Sequence, residues 1–166
     1  MILLIVTCLI LLICELYTLK LYRKYKFEET NDYHEITSFK KVMSKTGMIY
    51  LTFTCQGKEL NFILDTGSTI SYIEESAVID LNIKRKPCNE ISIGLGGNNA
   101  MTEYANLILE TPTTITSIDM PLSNFSRAFE GFDVEIHGLL GNNFLEASKY
   151  IIDYEKMKIF KPKAKK

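Results

Sequence analysis

An apolar run that ends in a carboxylate and a glycine constrains this chain more than any other stretch. Residues 62–73 read FILDTGSTISYI: apolar residues lead into Asp65-Thr66-Gly67-Ser68, and the chain then turns apolar again. A tight turn is an ordinary place for Asp and Gly, because Asp bonds its own backbone and Gly relieves crowding. The same turn, at the end of a buried strand, would also hold a reactive carboxylate rigidly. Asp65 is therefore either a turn residue or the working group of an enzyme, and the flanking chain has to decide.

From Thr46 onward the patterning is that of β-structure. MIYLTFTC (48–55) is rich in β-branched and aromatic residues, QGKE follows as a turn, and LNFILD returns as a second strand that delivers Asp65 at its end. TISYIEESAVIDLNI starts extended, and its EESAVIDL portion suits a short helical turn. Residues 90–110 read as two strands joined by a glycine-rich tip at Gly94, Leu95, Gly96 and Gly97. TTITSIDMPLSNF is a strand region that Pro121 is expected to interrupt. VEIHGLLGNNFLEASKY reads as a strand, a glycine-punctuated turn and a short helix, and YIIDYEKMKIF as a closing hairpin. Many short strands with turns between them predict an all-β fold, closed or sandwich-like, over residues 46–160, with a basic tail at 161–166.

The N-terminus is of another kind. Residues 1–19, MILLIVTCLILLICELYTL, contain one charge, Glu15, over a length that suits a bilayer-spanning helix. A cleaved signal peptide calls for a positive n-region and small residues at a cleavage site, neither of which is visible. A lipoprotein signal calls for a small residue before its cysteine, but Ile13 precedes Cys14. A retained transmembrane anchor is the leading reading, with a cleaved or lipidated signal and a buried helix as alternatives. Lys20, Arg23, Lys24 and Lys26 follow the span, so the positive-inside rule places the C-terminal domain on the cytoplasmic side. Residues 20–45 read as a juxtamembrane tether, with 27–45 weakly periodic enough to form a short helix.

Composition narrows the chemistry. A net charge of -1 gives no reason to expect nucleic acid. Two His and four Cys, with no CxxC or HExxH spacing, leave little material for a metal site, and no cofactor motif occurs. Cys55 and Cys88 are the two cysteines of the β-region, enough for one disulfide or two free thiols. His34 and His137 have no partner in the sequence and are expected at the surface or in the core.

Three features then stand in order: apolar-Asp65-Thr66-Gly67-Ser68, a glycine-tipped hairpin about 30 residues later, and Leu139-Leu140-Gly141 within GLLGNNFL, ahead of IIDYEKMKIF. This order resembles the retropepsin-like (retroviral-type, single-domain) aspartic proteases over residues 46–160. The resemblance implies a closed acid-protease barrel with one short C-terminal helix. It implies that Asp65 is catalytic, that Thr66 bonds across to an opposing loop, that Ser68 bonds an outer carboxylate oxygen, and that Gly67 leaves room beside the carboxylate. The hairpin would be a flap over an extended peptide, and the Leu139-Leu140-Gly141 strand would pass beneath the Asp65 loop. Ile70, Ile73 and Ile93 are candidates to line side-chain pockets.

Peptide hydrolysis without metal or covalent intermediate needs a base for the water and an acid for the carbonyl oxygen, which two carboxylates sharing one proton supply. The chain has one Asp-Thr-Gly; Asp80, Asp119, Asp133 and Asp153 lack a following Thr/Ser-Gly. The second Asp65 would have to come from another copy across a two-fold axis. The expectation is an aspartic endopeptidase, active as a homodimer. The alternative is the same fold as a catalytically silent dimerisation or peptide-binding module at the membrane. Because the C-terminus reads as its own hairpin and the N-terminus leads to an anchor, the dimer interface is expected to differ from the interleaved termini of retroviral enzymes.

Overall fold

The computed structural model describes residues 2–25, 32–94, 97–124, 129 and 131–163. It divides into two compact units, Met1–Asp32 and Tyr33–Lys166.

The first unit holds one helix, α1 (Ile2–Tyr25), of 24 residues. It extends beyond the span expected over 1–19. Among the described residues no helix is long and apolar enough to cross a membrane. The side chains of residues 1–6, 9 and 23–31 lie outside those described. The transmembrane anchor expected from the sequence is therefore not a finding of the structure.

The second unit is a β-barrel. Its larger sheet runs β2 (Tyr50–Cys55), β3 (Lys58–Leu64), β8 (Gly138–Leu140), β4 (Tyr72–Glu74), β7 (Ile115–Ser123), β6 (Gly97–Glu110), β5 (Arg85–Gly94). A further pairing of β2 with β6, Thr54 opposite Glu110, closes six of these strands into a ring and leaves β5 as an extension of β6. Two short helices, α3 (Glu75–Asp80) and α4 (Asn142–Ser148), follow β4 and β8.

Local chemistry accounts for the elements. The β2–β3 hairpin pairs Cys55 with Lys58 across Gln56 (φ 50°) and Gly57 (φ 81°). Two successive positive φ values are what a tight turn needs to match strand twist. Alternate residues of β2 and β6 are buried, Leu51, Phe53 and Cys55 on one and Ala105, Leu107 and Leu109 on the other. The interior is aromatic: Phe53 meets Phe62 at 6.0 Å and Phe144 at 5.7 Å, both edge-on, and Phe144 meets Tyr150 at 5.5 Å. β7 runs through Pro121, which pairs opposite Tyr104, so the expected interruption does not occur.

A second, three-stranded sheet has the order β1 (Tyr33–Ser38), β10 (Lys158–Pro162), β9 (Ile151–Asp153). Here the structure departs from the sequence reading. Residues 33–45, read as tether, belong to the folded unit: β1 pairs with β10, and α2 (Lys40–Thr46) follows. Phe39 between them is fully buried, and its N–H donates to Met157 O at 3.0 Å. Lys161 and Pro162, read as tail, lie in β10. Cys55 and Cys88 are not joined in a disulfide, and burial pushes the Cys55 thiol up.

Candidate active site

The Asp65 loop is built from the strand that precedes it. β3 is buried at Leu60, Phe62 and Ile63, and carries the chain to the barrel end, where it leaves the sheet at Asp65. The Gly67 N–H donates to Asp65 Oδ1 at 2.8 Å, and the Ser68 N–H donates to Asp65 O at 3.2 Å. The carboxylate thus accepts from its own turn, which orients it. A Cβ on Gly67 would stand 3.1 Å from Asp65 Oδ1, tight enough to disturb that orientation.

β8 supports the loop. It lies between β3, to which it is parallel, and β4, to which it is antiparallel. The Asp65 N–H donates to Leu140 O at 2.9 Å. Gly138 and Gly141 are glycines for reasons of contact. A Cβ on Gly138 would lie 2.5 Å from both the Phe62 ring and Tyr72 O, and one on Gly141 would lie 2.5 Å from Ile70 O. The backbone of one segment packs directly on the other, with no room for a side chain.

The start of α4 completes the support. The Asn142 N–H donates to Ser68 O (2.8 Å) and its Nδ2 to Thr66 O (3.1 Å), while the Asn143 N–H donates to Thr69 O (3.2 Å). The buried Ser71 hydroxyl donates to Asn143 Oδ1 (2.7 Å) and accepts from the Gly141 N–H (3.0 Å). Carbonyls that would otherwise point into the turn are satisfied, so the loop has few alternative shapes. Asn142, Asn143 and Ser71 are site residues that sequence reasoning missed. The Asn-Asn pair directly after Gly141, at a helix start, was the available signal.

The structure brings Asp65, Thr66, Gly67 and Ser68 together with Leu139, Leu140 and Gly141. Ser68 differs from its expected role: its hydroxyl donates to Ile70 O at 2.8 Å and so closes the loop on itself. Thr66 is exposed within one chain. The hairpin of β5 and β6 is present, with Gly94 opposite Gly97. Leu95 and Gly96, expected at its tip, lie outside the described residues, as does the side chain of Ile93. Its stem is tied down by Arg85, whose Nη1 bonds Glu75 Oε1 at 2.8 Å and Glu103 Oε2 at 3.1 Å. Of the other pocket candidates, Ile70 lines a cavity and Ile73 is fully buried core.

A closed barrel that presents one oriented carboxylate on a glycine-locked loop, beside a long hairpin, defines an acid-protease type of domain. The chain belongs to the aspartyl protease family, whose model matches residues 51–144. No curated protein matches the chain. Among solved structures, one similar backbone is the EIAV protease complexed with the inhibitor HBY-793, at 17% identity and TM-score 0.46, covering 60% of this chain and 86% of that one. Another is the retroviral protease-like domain of Ddi1 from Leishmania major, at 11% identity and TM-score 0.47, covering 65% of this chain and 82% of that one.

Proposed function

We propose that this protein is a retropepsin-like aspartic endopeptidase whose active site forms between two copies, each contributing Asp65. The observation that carries the reading is the Asp65 loop: a carboxylate oriented by the Gly67 N–H and seated on β8 through Leu140 O. One such carboxylate can act as base or as acid, but not as both in one step. Two of them, close together, split their pKa values so that one holds the proton and the other does not. Water then attacks the scissile carbonyl as the ionised Asp65 accepts its proton and the protonated Asp65 donates to the carbonyl oxygen. Family membership supports a protease, and the single Asp-Thr-Gly in the chain supports the symmetric dimer. Asp65→Asn is expected to abolish cleavage of a peptide library while retaining the thermal unfolding profile and the dimer. Unaltered cleavage by that variant would rule the reading out.

The proposal extends to the membrane. α1 has 24 residues, which at about 1.5 Å each reach about 36 Å, and residues 1–19 carry a single charge. The first unit then anchors the protease, with Lys20, Arg23, Lys24 and Lys26 favouring a cytoplasmic domain. Alkaline extraction of membranes tests this: an anchored chain stays in the pellet, and release into the supernatant would refute it.

A further inference from the structure

A half-open cavity of about 310 Å³ lies beside the Asp65 loop, walled by Ile70, Cys88, Tyr104, Asp119, Pro121 and Asn143. Ile70 accepts the Ser68 hydroxyl, and Asn143 bonds Thr69 O, so one wall is continuous with the loop that carries Asp65. The other wall comes from the stem of the β5–β6 hairpin and from β7. Tyr104 and Pro121 stand opposite each other in the β6–β7 register, and Asp119 opposes Asn106 on the same sheet face. At the lower end of the usual range for ligand pockets, about 300–1,000 Å³, the volume suits one side chain rather than a larger ligand.

Its chemistry is lopsided. Ile70, Pro121 and the Tyr104 ring offer apolar wall, and among the described lining residues Asp119 is the one formally charged group. That carboxylate is held in place, because Asn106 Nδ2 donates to Asp119 Oδ1 at 2.9 Å. Asn106 is itself fixed by Ser117, whose hydroxyl donates to Asn106 Oδ1 at 3.3 Å. Among the described residues no Lys, Arg or His forms an ion pair with Asp119; Lys86, the neighbouring cation, lies over the Tyr104 ring at 5.5 Å. An acidic side chain entering here would meet like charge. An apolar one would cover Asp119 and gain nothing from it. A long apolar stem ending in a cation satisfies both walls.

We infer that this cavity is a specificity pocket for a Lys or Arg side chain of the peptide bound in the cleft, with Asp119 as the residue that selects the cation. The inference rests on the peptide-cleft reading above but not on catalysis, so its test uses binding. Labelled peptides that differ only by Lys, norleucine or Glu, scanned position by position, are titrated against the full chain carrying Asp65→Asn. The expected result is one position at which Lys binds roughly two- to fivefold tighter than norleucine, the range for a solvated ion pair. Asp119→Asn, added to that chain, should bring the ratio near one, and Asp119→Lys should turn the preference towards Glu at the same position. The inference is overturned by an absence of preference, by a preference that survives Asp119→Asn, or by an absence of peptide binding. Lys-selective binding by a chain whose wild-type form cleaves nothing would overturn the protease reading and leave this one standing.

Discussion

Single residues carry two of the sharper expectations. Gly141 is the first. A Cβ there would stand 2.5 Å from Ile70 O and 2.6 Å from Ile70 C, and neither backbone atom can swing aside as a side-chain tip would. Gly141→Ala should therefore cost about 2–4 kcal/mol of stability. A thermal melt that matches wild type would contradict the contact. His137 is the second. It is buried, its Nδ1 accepts the Asn61 N–H at 3.1 Å, and its Nε2 lies 3.7 Å from Glu135 Oε2. Burial pulls its pKa below the usual histidine value; Lys58 acts the same way, while Glu135 and Asp80 oppose them. The unfolded chain therefore binds the proton more readily than the folded one. Stability should fall as pH drops below the unfolded value of about 6.5, and level off beneath the folded value. Denaturant midpoints between pH 7.5 and 5 should fall less for His137→Gln than for wild type; parallel curves would contradict this assignment.

At the scale of elements, the sequence was most readable where signals are local. The β2–β3 hairpin, α3, α4 and the glycine-flanked β5–β6 hairpin follow from alternation, turn residues and short apolar runs, and they fall close to where those signals stand. Two features were not readable, for a shared reason. β1 reads YHEITS, a short polar-mixed run whose strand character comes from pairing with β10, more than a hundred residues away in sequence. Pro121 breaks no strand because the register with Tyr104 runs through it, a fact of tertiary pairing rather than local propensity. The buried side chain between β1 and α2 makes this testable. Phe39→Ala should cost about 3–5 kcal/mol, as removal of a fully buried aromatic does. A loss below about 1 kcal/mol by chemical denaturation would return residues 33–45 to the role of a tether.

For the whole molecule, the sequence disclosed the Asp65 loop and the segment that braces it, because both are written as short motifs with glycines at fixed places. It did not disclose how the loop is locked. That depends on Asn142, Asn143 and Ser71, ordinary polar residues until the fold sets them against the loop carbonyls. The central claim concerns two molecules at once, and mixing tests it most directly. Wild-type chain is equilibrated with an equal amount of the Asp65→Asn chain, and peptide hydrolysis is measured at fixed total protein. If both Asp65 carboxylates of a homodimer are needed, only wild-type pairs are active, and the rate falls to about a quarter of that of wild type alone. A rate that falls only to half would mean that each chain works by itself, and would contradict the shared site.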